Sequence, residues 1–286
     1  APALARRAAL GLGKALHQLG HFGEAEQVLS SAYERAETDD TETAYAFAKT
    51  LLSLGEVRRA LAPLERVVRS EPDDAAPYLA YGRALLQSGE HHKAQAKQAV
   101  PALKKSIELS EPGFAPEAQG LLAEALLSSG ELEEAQEAFR AAMNTPLKDD
   151  PGWHSRLAAG FGRVSLKLGQ LETAIAALQE AALANPQNAV IQRDLSDAFL
   201  AQGLEEEALA AARHALNMDP AGLDTLVWFA GQTRRCKSTR SDAKILQREA
   251  VQAWQQASQL APERGDVLVC LANAYLQSGD REAARG

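Results

Sequence analysis

The chain has 286 residues and a formal net charge of −8, and 46% of its residues are hydrophobic although only 5% are aromatic. Alanine and leucine supply most of the apolar residues and are strong helix formers, so the composition predicts an all-α protein without a sheet. The negative charge disfavours a nucleic-acid partner, because such proteins cluster Lys and Arg against phosphates.

Cysteine content and hydropathy exclude two further classes. Cys236 and Cys270 are too few to hold a chain of this length together by disulfides. The sequence contains no run of 18 apolar residues and no signal-peptide pattern, so we expect no membrane insertion. A reducing compartment suits this composition and favours the cytoplasm as the location.

One short phrase recurs along the chain: a helical pattern ends in glycine, and an alanine follows five residues later. Its copies are HQLGHFGEA at 17–25, LSLGEVRRA at 52–60, LQSGEHHKA at 86–94, LSSGELEEA at 127–135, LKLGQLETA at 166–174, LAQGLEEEA at 200–208 and LQSGDREAA at 276–284. The spacing leaves room for an eighth, degraded copy between residues 223 and 262. Such a period predicts a repeat architecture rather than a single central core.

The period and the small residues resemble the tetratricopeptide repeat family. The family's small residue, eight places into the first helix, is matched by Gly13, Ala48, Gly82, Ala123, Gly162, Ser196, Ala230 and Ala272. The alanine after the turn glycine is matched by Ala25, Ala60, Ala94, Ala135, Ala174, Ala208, Ala250 and Ala284. The resemblance implies a right-handed superhelical solenoid of antiparallel helix pairs.

We therefore expect a single solenoid over residues 1–286, built from seven to eight units. The approximate units are 6–39, 41–74, 75–113, 116–150, 155–188, 189–222, 223–262 with an insertion, and 265–286, which is incomplete. The last unit has one helix and barely a turn of its partner. We expect the protein to continue beyond Gly286 or to be covered there by another molecule, with self-association as one possibility.

The stretch GLGKALHQLG at 11–20 has the glycines and lysine of a phosphate-binding loop, but the repeat explains it differently. Gly13 stands where two helices cross closely, and Gly20 stands in a turn that favours a left-handed backbone. The stretch also lacks a preceding strand and the full phosphate-loop spacing. We predict packing and turn roles for these glycines.

Three units are longer than the others. The third carries about six extra residues within 91–109 and places Pro101 inside a predicted helix, which we expect to be elongated. The fourth has a longer loop at 144–153, and the seventh a cationic insertion at 233–244, where Ser241 or Asp242 is a candidate helix cap. Each insertion is either a partner-contacting loop or neutral variation in a surface loop.

No residue pattern predicts catalysis or a cofactor. The six histidines do not combine with Cys or carboxylates at a metal-ligand spacing, since His17 and His21 straddle a turn and His91 and His92 are adjacent. No nucleophile signature occurs. We predict neither an enzyme nor a metal site, and no cofactor.

The resemblance further implies that the first helices of successive units line a concave groove that takes an extended peptide or a partner helix. The ninth place of each unit faces this groove, and Lys14, Lys49 and Arg83 form a basic ladder there over units one to three. The candidate binding residues are Arg7, Leu10, Lys14, His17, Tyr45, Lys49, Leu79, Arg83, Leu86 and Arg163. Such a groove favours an acidic peptide segment, although Glu42 and Glu117 partly cancel its field.

Two alternatives stay open at this point. A solvated groove tolerates any long polar side chain, so the ladder is either a binding site or an accident of composition. The family's carboxylate clamp has Asn where this chain has Lys14 and Lys49, which weakens a role in binding chaperone tails. The main hypothesis is a scaffold that binds a protein or peptide partner, and the alternative is a substrate-recruiting or regulatory arm of a larger enzyme.

Overall fold

The structure is a computed structural model and describes residues 2–36, 40–88, 92–111, 115–144, 150–236, 243–280 and 283–284. Within these ranges every regular element is an α-helix, as the composition predicts. The helices are α1 (Pro2–Gln18), α2 (Phe22–Glu34), α3 (Thr41–Ser53), α4 (Val57–Val68), α5 (Ala75–Gln87), α6 (His92–Leu109), α7 (Pro116–Ser129), α8 (Leu132–Met143), α9 (Pro151–Lys167), α10 (Leu171–Ala184), α11 (Ala189–Gln202), α12 (Glu205–Met218), α13 (Leu223–Arg235), α14 (Ala243–Leu260) and α15 (Gly265–Ser278).

The helices form successive hairpins, grouped into two compact units, Ala1–Lys148 and Asp149–Gly286. In both, a first helix packs on its own partner and on the next first helix, as α1 does on α3 and α9 on α11. The first unit has a core around Leu29, Phe47 and Leu64. The second has a core around Leu226 and Phe229. Each core is shared by neighbouring hairpins, which is how repeat proteins bury apolar faces.

Aspartate or asparagine starts the first helix of four hairpins. The side chains of Asp40, Asp74, Asp150 and Asn188 each accept a hydrogen bond from a backbone N–H of the first helical turn. These bonds satisfy donors that have no partner within the helix. Each of these four side chains therefore fixes where the next first helix begins.

Six of the first helices end in a turn that needs glycine because its backbone is left-handed. The φ angle lies between 74° and 93° at Gly20, Gly55, Gly130, Gly169, Gly203 and Gly279. The next residue donates its N–H to a carbonyl five residues back, as His21 does to Leu16 at 2.9 Å and Gln170 to Ser165 at 2.9 Å. This is the Schellman arrangement that closes a helix end. The predicted turn role of Gly20 is confirmed.

The first small place allows the two helices of a hairpin to approach closely. A Cβ added at Gly82 would lie 2.6 Å from Leu103 Cγ, and one at Gly162 would lie 2.6 Å from Leu178 Cγ. Gly13 meets the side chain of Leu29 in the same way. The predicted packing role of Gly13 is confirmed, since any side chain there would displace a buried leucine.

Two of the sequence alignments of the second small place are wrong. Ala94 is exposed, whereas Ala99 is fully buried and lies four residues before Leu103, the leucine that packs on Gly82. The extra residues of the third unit therefore lie in the first turns of α6, which has 18 residues and continues through Pro101. In the seventh unit Ala253 and Ala257 are buried, and Ala250 instead lines a cavity.

The remaining departures concern the longer loops and the last helix. Residues 145–149 and 237–242, with the predicted cap at Ser241 or Asp242, lie outside the described residues, as do Gly89 and His91. On α15 the outer face is exposed at Leu268, Val269 and Leu276. Self-association through this face stays a prediction.

Candidate functional site

A cavity of about 330 Å³ lies between α1 and α3 in the first compact unit. It brings together four of the residues expected in the groove, together with Glu42 and Ala46. From α1 come Lys14 and His17, and from α3 come Tyr45 and Lys49. Helices α1 and α3 contact each other here. Together they place two ammonium groups, an imidazole and a phenol around an apolar floor.

The two lysines of the cavity have different partners. The Lys14 ammonium is paired with Glu42, one hairpin further along the chain. The Lys49 ammonium lies 5.8 Å from the ring centroid of Tyr45, and no carboxylate of the described residues pairs with it. Lys49 is therefore the cation of this site whose charge a ligand meets without first displacing a carboxylate.

His17 is held in a defined orientation. Its Nδ1 lies 3.1 Å from Thr50 Oγ1, and that hydroxyl donates its proton to the Ala46 carbonyl at 3.0 Å. Because the hydroxyl proton is already used, Nδ1–H is the donor to Thr50, and the neutral ring keeps Nε2 as an acceptor. Burial, and secondly the charge of Lys49, lower the pKa of His17. The imidazole is therefore neutral at pH 7.

Tyr45 contributes a hydrogen-bond donor. Burial raises the pKa of Tyr45, with a smaller contribution from Asp74 that the charge of Arg83 partly opposes. The phenol stays protonated at neutral pH and offers its O–H to a ligand. The site then combines a donor, an acceptor and a cation within one cavity.

The other candidate residues of the first unit have separate surroundings. Arg7 is exposed on α1, and Leu10 is buried in the core cluster rather than on the groove surface. Leu79 and Leu86 are half-buried on α5. Arg83 on the same helix is paired with Glu117 of α7. Of these five side chains, only Leu79 and Leu86 add partly exposed apolar surface.

Arg163 belongs to the second compact unit, where it faces a carboxylate that the sequence did not single out. Its Nη1 lies 3.8 Å from Asp194 Oδ2. Burial raises the pKa of Asp194 to about 6, and Asp197 adds to the rise, whereas Arg163 and Arg193 oppose it. Arg163 Nε and Asp194 Oδ2 are buried without a hydrogen-bond partner among the described residues.

One rule describes these ion pairs. A cation at the ninth place of a first helix pairs with an acid on the next first helix, in Lys14–Glu42, Arg83–Glu117 and Arg163–Asp194. Two of the three cations of the basic ladder, Lys14 and Arg83, are thus paired with acids, and Lys49 is the exception among the described residues. The two partners of each ion pair are 28 to 34 positions apart in the sequence. The pairing can therefore be recognised in the sequence only once the period of the repeat is known.

The described residues provide neither a cluster of metal ligands nor a membrane-spanning helix. No group of three or more His, Cys, Asp or Glu side chains there is arranged to hold a metal ion. None of the helices described combines the length and the apolar character needed to cross a bilayer.

Comparison with known proteins decides the family. A model of the tetratricopeptide repeat matches residues 45–97, 94–150 and 160–222, which together exceed half of the chain. The chain belongs to the tetratricopeptide repeat family. Repeats of this family serve protein–protein interaction.

A relative found by comparison of whole sequences is also a tetratricopeptide repeat protein. The TPR repeat-containing protein YpiA of Bacillus subtilis (strain 168) is 28% identical over 126 residues, which cover 44% of this chain and 28% of that relative. The chain's match thus spans less than a third of the length of YpiA.

Two solved structures show the fold. PilF of Pseudomonas aeruginosa has a TM-score of 0.56 and 19% identity, over 74% of this chain and 87% of that one. The C-terminal part of a TPR repeat-containing protein from Cytophaga hutchinsonii has a TM-score of 0.58 and 13% identity, over 83% of this chain and 90% of that one. Both similarities concern the fold alone.

Proposed function

We propose that this chain is a non-catalytic scaffold that binds a partner peptide or helix in the groove of its first helices, with an acidic segment over units one to three. The observation that carries the proposal is the cavity between α1 and α3, where Lys49 lies without a described carboxylate partner. Protein–protein interaction is the role of the repeat family. The groove and the acidic ligand are the specific part of the proposal.

The chemistry of the cavity suits a carboxylate next to an apolar side chain. A ligand carboxylate would accept a hydrogen bond from Lys49 and from the Tyr45 hydroxyl, and charge-assisted bonds of this kind are the strong ones. His17 Nε2 would accept a bond from the ligand's backbone N–H. The apolar floor at Leu29 and Ala46 would cover the neighbouring side chain.

The ion pairs of the ladder do not prevent this binding. Glu42 and Glu117 are well exposed, with 69% and 46% of their side chains accessible. Exposed ion pairs contribute about 0–1 kcal/mol. A ligand carboxylate therefore replaces Glu42 beside Lys14 at small cost, whereas its bond to Lys49 is a net gain.

His17 provides a reporter for the test. Two blocked decapeptides are compared, one alternating Leu and Glu and the other alternating Leu and Gln, and the pKa of His17 is followed by NMR. Binding of the Glu peptide at Lys49 offsets the lysine charge, so we expect the pKa of His17 to rise with that peptide and not with the Gln peptide.

The matched variants are Lys49→Gln and Lys167→Gln, both at exposed lysines of first helices. We expect Lys49→Gln to weaken binding of the Glu peptide by roughly two- to fivefold, the effect of one exposed ion pair. Lys167→Gln should leave the affinity unchanged. Equal binding of both peptides, or no change in Lys49→Gln, would refute the acidic-groove proposal.

A further inference from the structure

Helix α1 has a second apolar face, on the side that does not pack on α2 and α3. Leu4, Leu12 and Leu19 lie on it with 75%, 53% and 73% of their surface exposed. The residues of this face follow one another along one side of the helix, mostly at steps of three or four. The outer face of α1 consists of Leu4, Ala5, Ala8, Gly11, Leu12, Ala15 and Leu19, and all seven are exposed.

The corresponding face of a later first helix is covered by the second helix that precedes it. On α3, Phe47 stands at the place that Leu12 has on α1, and it is only 6% exposed. Its ring centroid lies 5.2 Å from that of Tyr33 on α2, the helix that packs on α3. On α11 the same place holds Leu195, which is 5% exposed, and α10 packs on that helix. A face of this kind therefore suits a helix as its cover.

Gly11 is a further unusual feature of the outer face. A Cβ added there would meet nothing within 4 Å, so no contact among the described residues requires glycine. Glycine in the middle of a helix is destabilising relative to alanine. At Gly82 the missing side chain makes room for Leu103 of the helix packed against it. Gly11 offers the same room to a leucine that approaches from outside.

The order of large and small residues on the outer face is the same in both chain directions. Leu4 and Leu19 lie at its two ends, and Ala8 and Ala15 come next. Leu19 continues the helix geometrically, since its N–H donates to the Ala15 carbonyl at 3.0 Å. Two antiparallel copies of α1 related by a two-fold axis therefore place leucine on leucine and alanine on alanine.

The centre of the same arrangement gives Gly11 a role. Residues 11 and 12 are the midpoint of both pairs, so Leu12 of each copy faces Gly11 of the other. The large side chain then enters the space that the glycine leaves, and the small residues around it let the two helices approach closely. A contact that is its own complement in this way is the isologous type found in two-fold dimers.

The charges of α1 do not oppose this contact. No charged residue belongs to the outer face, so its burial removes no charge from water. Arg6 lies 3.2 Å from Asp40, and Lys14 is paired with Glu42, so both cations have partners in their own chain. The face has seven residues a side, fewer than the roughly 20–30 of a stable interface. The dimer is therefore expected to be weak and to depend on concentration.

We propose that two copies of this chain associate through the outer face of α1, with the two helices antiparallel about a two-fold axis at Gly11 and Leu12. The cavity described above is lined by Lys14 and His17, which lie on another side of the same helix. The inference is therefore independent of peptide binding in the groove.

The first test is the molar mass in solution, measured by light scattering over a hundredfold range of protein concentration. The chain has a mass of 30.6 kDa. We expect the measured mass to rise with concentration toward twice this value and no further, because a two-fold contact is closed at the dimer. A mass that stays at that of one chain would overturn the proposal, and a mass that grows past the dimer would overturn the two-fold arrangement.

A matched pair of variants locates the contact. Leu12→Glu should weaken the dimer at least tenfold, because the contact would bury an unpaired charge. Leu183→Glu changes a leucine of α10 that is 85% exposed and should leave the dimer unchanged. Circular dichroism checks that both stay helical. A dimer that survives Leu12→Glu uses a different surface, and the proposal is then wrong. Leu12→Glu should still bind the alternating Leu and Glu peptide, which separates this inference from the proposed function.

A pair of opposite charges tests the orientation of the helices. Ala8→Glu and Ala15→Lys should each be monomeric alone, because each contact would bury an unpaired charge. Mixed together, the two variants should form a heterodimer, since only the antiparallel arrangement places residue 8 of one chain opposite residue 15 of the other. Native mass spectrometry distinguishes the heterodimer by its mass. A mixture that stays monomeric would overturn the antiparallel pairing.

Discussion

The ninth place of the repeat is used differently in the two compact units. In the first unit Lys14, Lys49 and Arg83 occupy three of these places, and Lys14 and Arg83 pair with the exposed acids Glu42 and Glu117. In the second unit Arg163 faces the largely buried Asp194, and Gly231 leaves a cavity. The backbone arrangement is the same in both, so the residue at this place and the acid on the next first helix together decide whether the place presents a charge, pairs with a buried acid or opens a space.

The largest expected effect concerns the buried acid of this comparison. The pKa of Asp194 is raised from the ordinary 3.8 to about 6, so the folded protein keeps this proton over a range in which the unfolded chain has lost it. Stability then falls as the pH rises from about 4 to 6. A rise of this size corresponds to about 3 kcal/mol. Asp194→Asn removes this decrease.

Urea unfolding at pH 4 and at pH 7 measures this effect. We expect the difference in free energy of unfolding between Asp194→Asn and the wild type to change by about 2 kcal/mol in favour of the variant between these two pH values, because the unfolded carboxyl is already more than half ionised at pH 4. An NMR titration of the Asp194 carboxyl carbon serves as the direct control. A difference that is the same at both pH values would show that burial does not hold the proton.

The next effect tests the backbone arrangement that the two units share. Gly13→Ala places a methyl group against Leu29 and should destabilise the protein by about 1–3 kcal/mol, because the core is overpacked. Gly11→Ala, two residues away in the same helix, meets nothing within 4 Å and should stabilise it by about 0.5–1 kcal/mol.

Thermal and urea unfolding of these two alanine variants should show stability changes of opposite sign, because only residue 13 lies where the two helices cross. The same sign in both would mean that helix propensity dominates and that the close approach at Gly13 is relaxed in solution. Gly82→Ala, which faces Leu103, repeats the test in a second hairpin.

A smaller effect distinguishes an exposed pair from the buried one. Lys14→Gln breaks the pair with Glu42 and should change the free energy of unfolding by less than about 1 kcal/mol. Because both partners are well exposed, 0.5 M salt should reduce even this difference. A loss above 2 kcal/mol in urea unfolding would place this pair in the same class as Arg163 and Asp194.

The smallest effect is electrostatic and local. Lys49→Gln should raise the pKa of His17, since the lysine charge is the second cause of its depression. The pKa should stay below the ordinary value of 6.5, because burial is the larger cause. Because the pKa of His17 is depressed in the folded state, the folded protein loses stability as the pH falls below 6.5. An NMR titration of His17 in both proteins checks this. An unchanged pKa would show that the Lys49 charge does not act on His17.

Much of the fold follows from local chemistry that the sequence displays. The glycines at the turns need a left-handed backbone, and Asp40, Asp74, Asp150 and Asn188 cap first helices through their own neighbours. The capping acid or amide ahead of these four first helices is a signal that the sequence displays beside the repeat. In the third unit the repeat pattern predicted the wrong alanine. Ala94 and Ala99 are the same residue type, and only their burial in the structure distinguishes them.

The sequence by itself determined the repeat, the helix pairs and the small residues where helices cross, since these depend on interactions between residues close in the chain or repeated at a fixed period. Only the tertiary structure decided which charges are paired, that Leu10 is core, that burial raises the pKa of Asp194, and that Gly231 opens a cavity. The physical reason is that desolvation, Coulomb interactions and empty space depend on distances between residues about 30 positions apart, and packing between hairpins sets those distances.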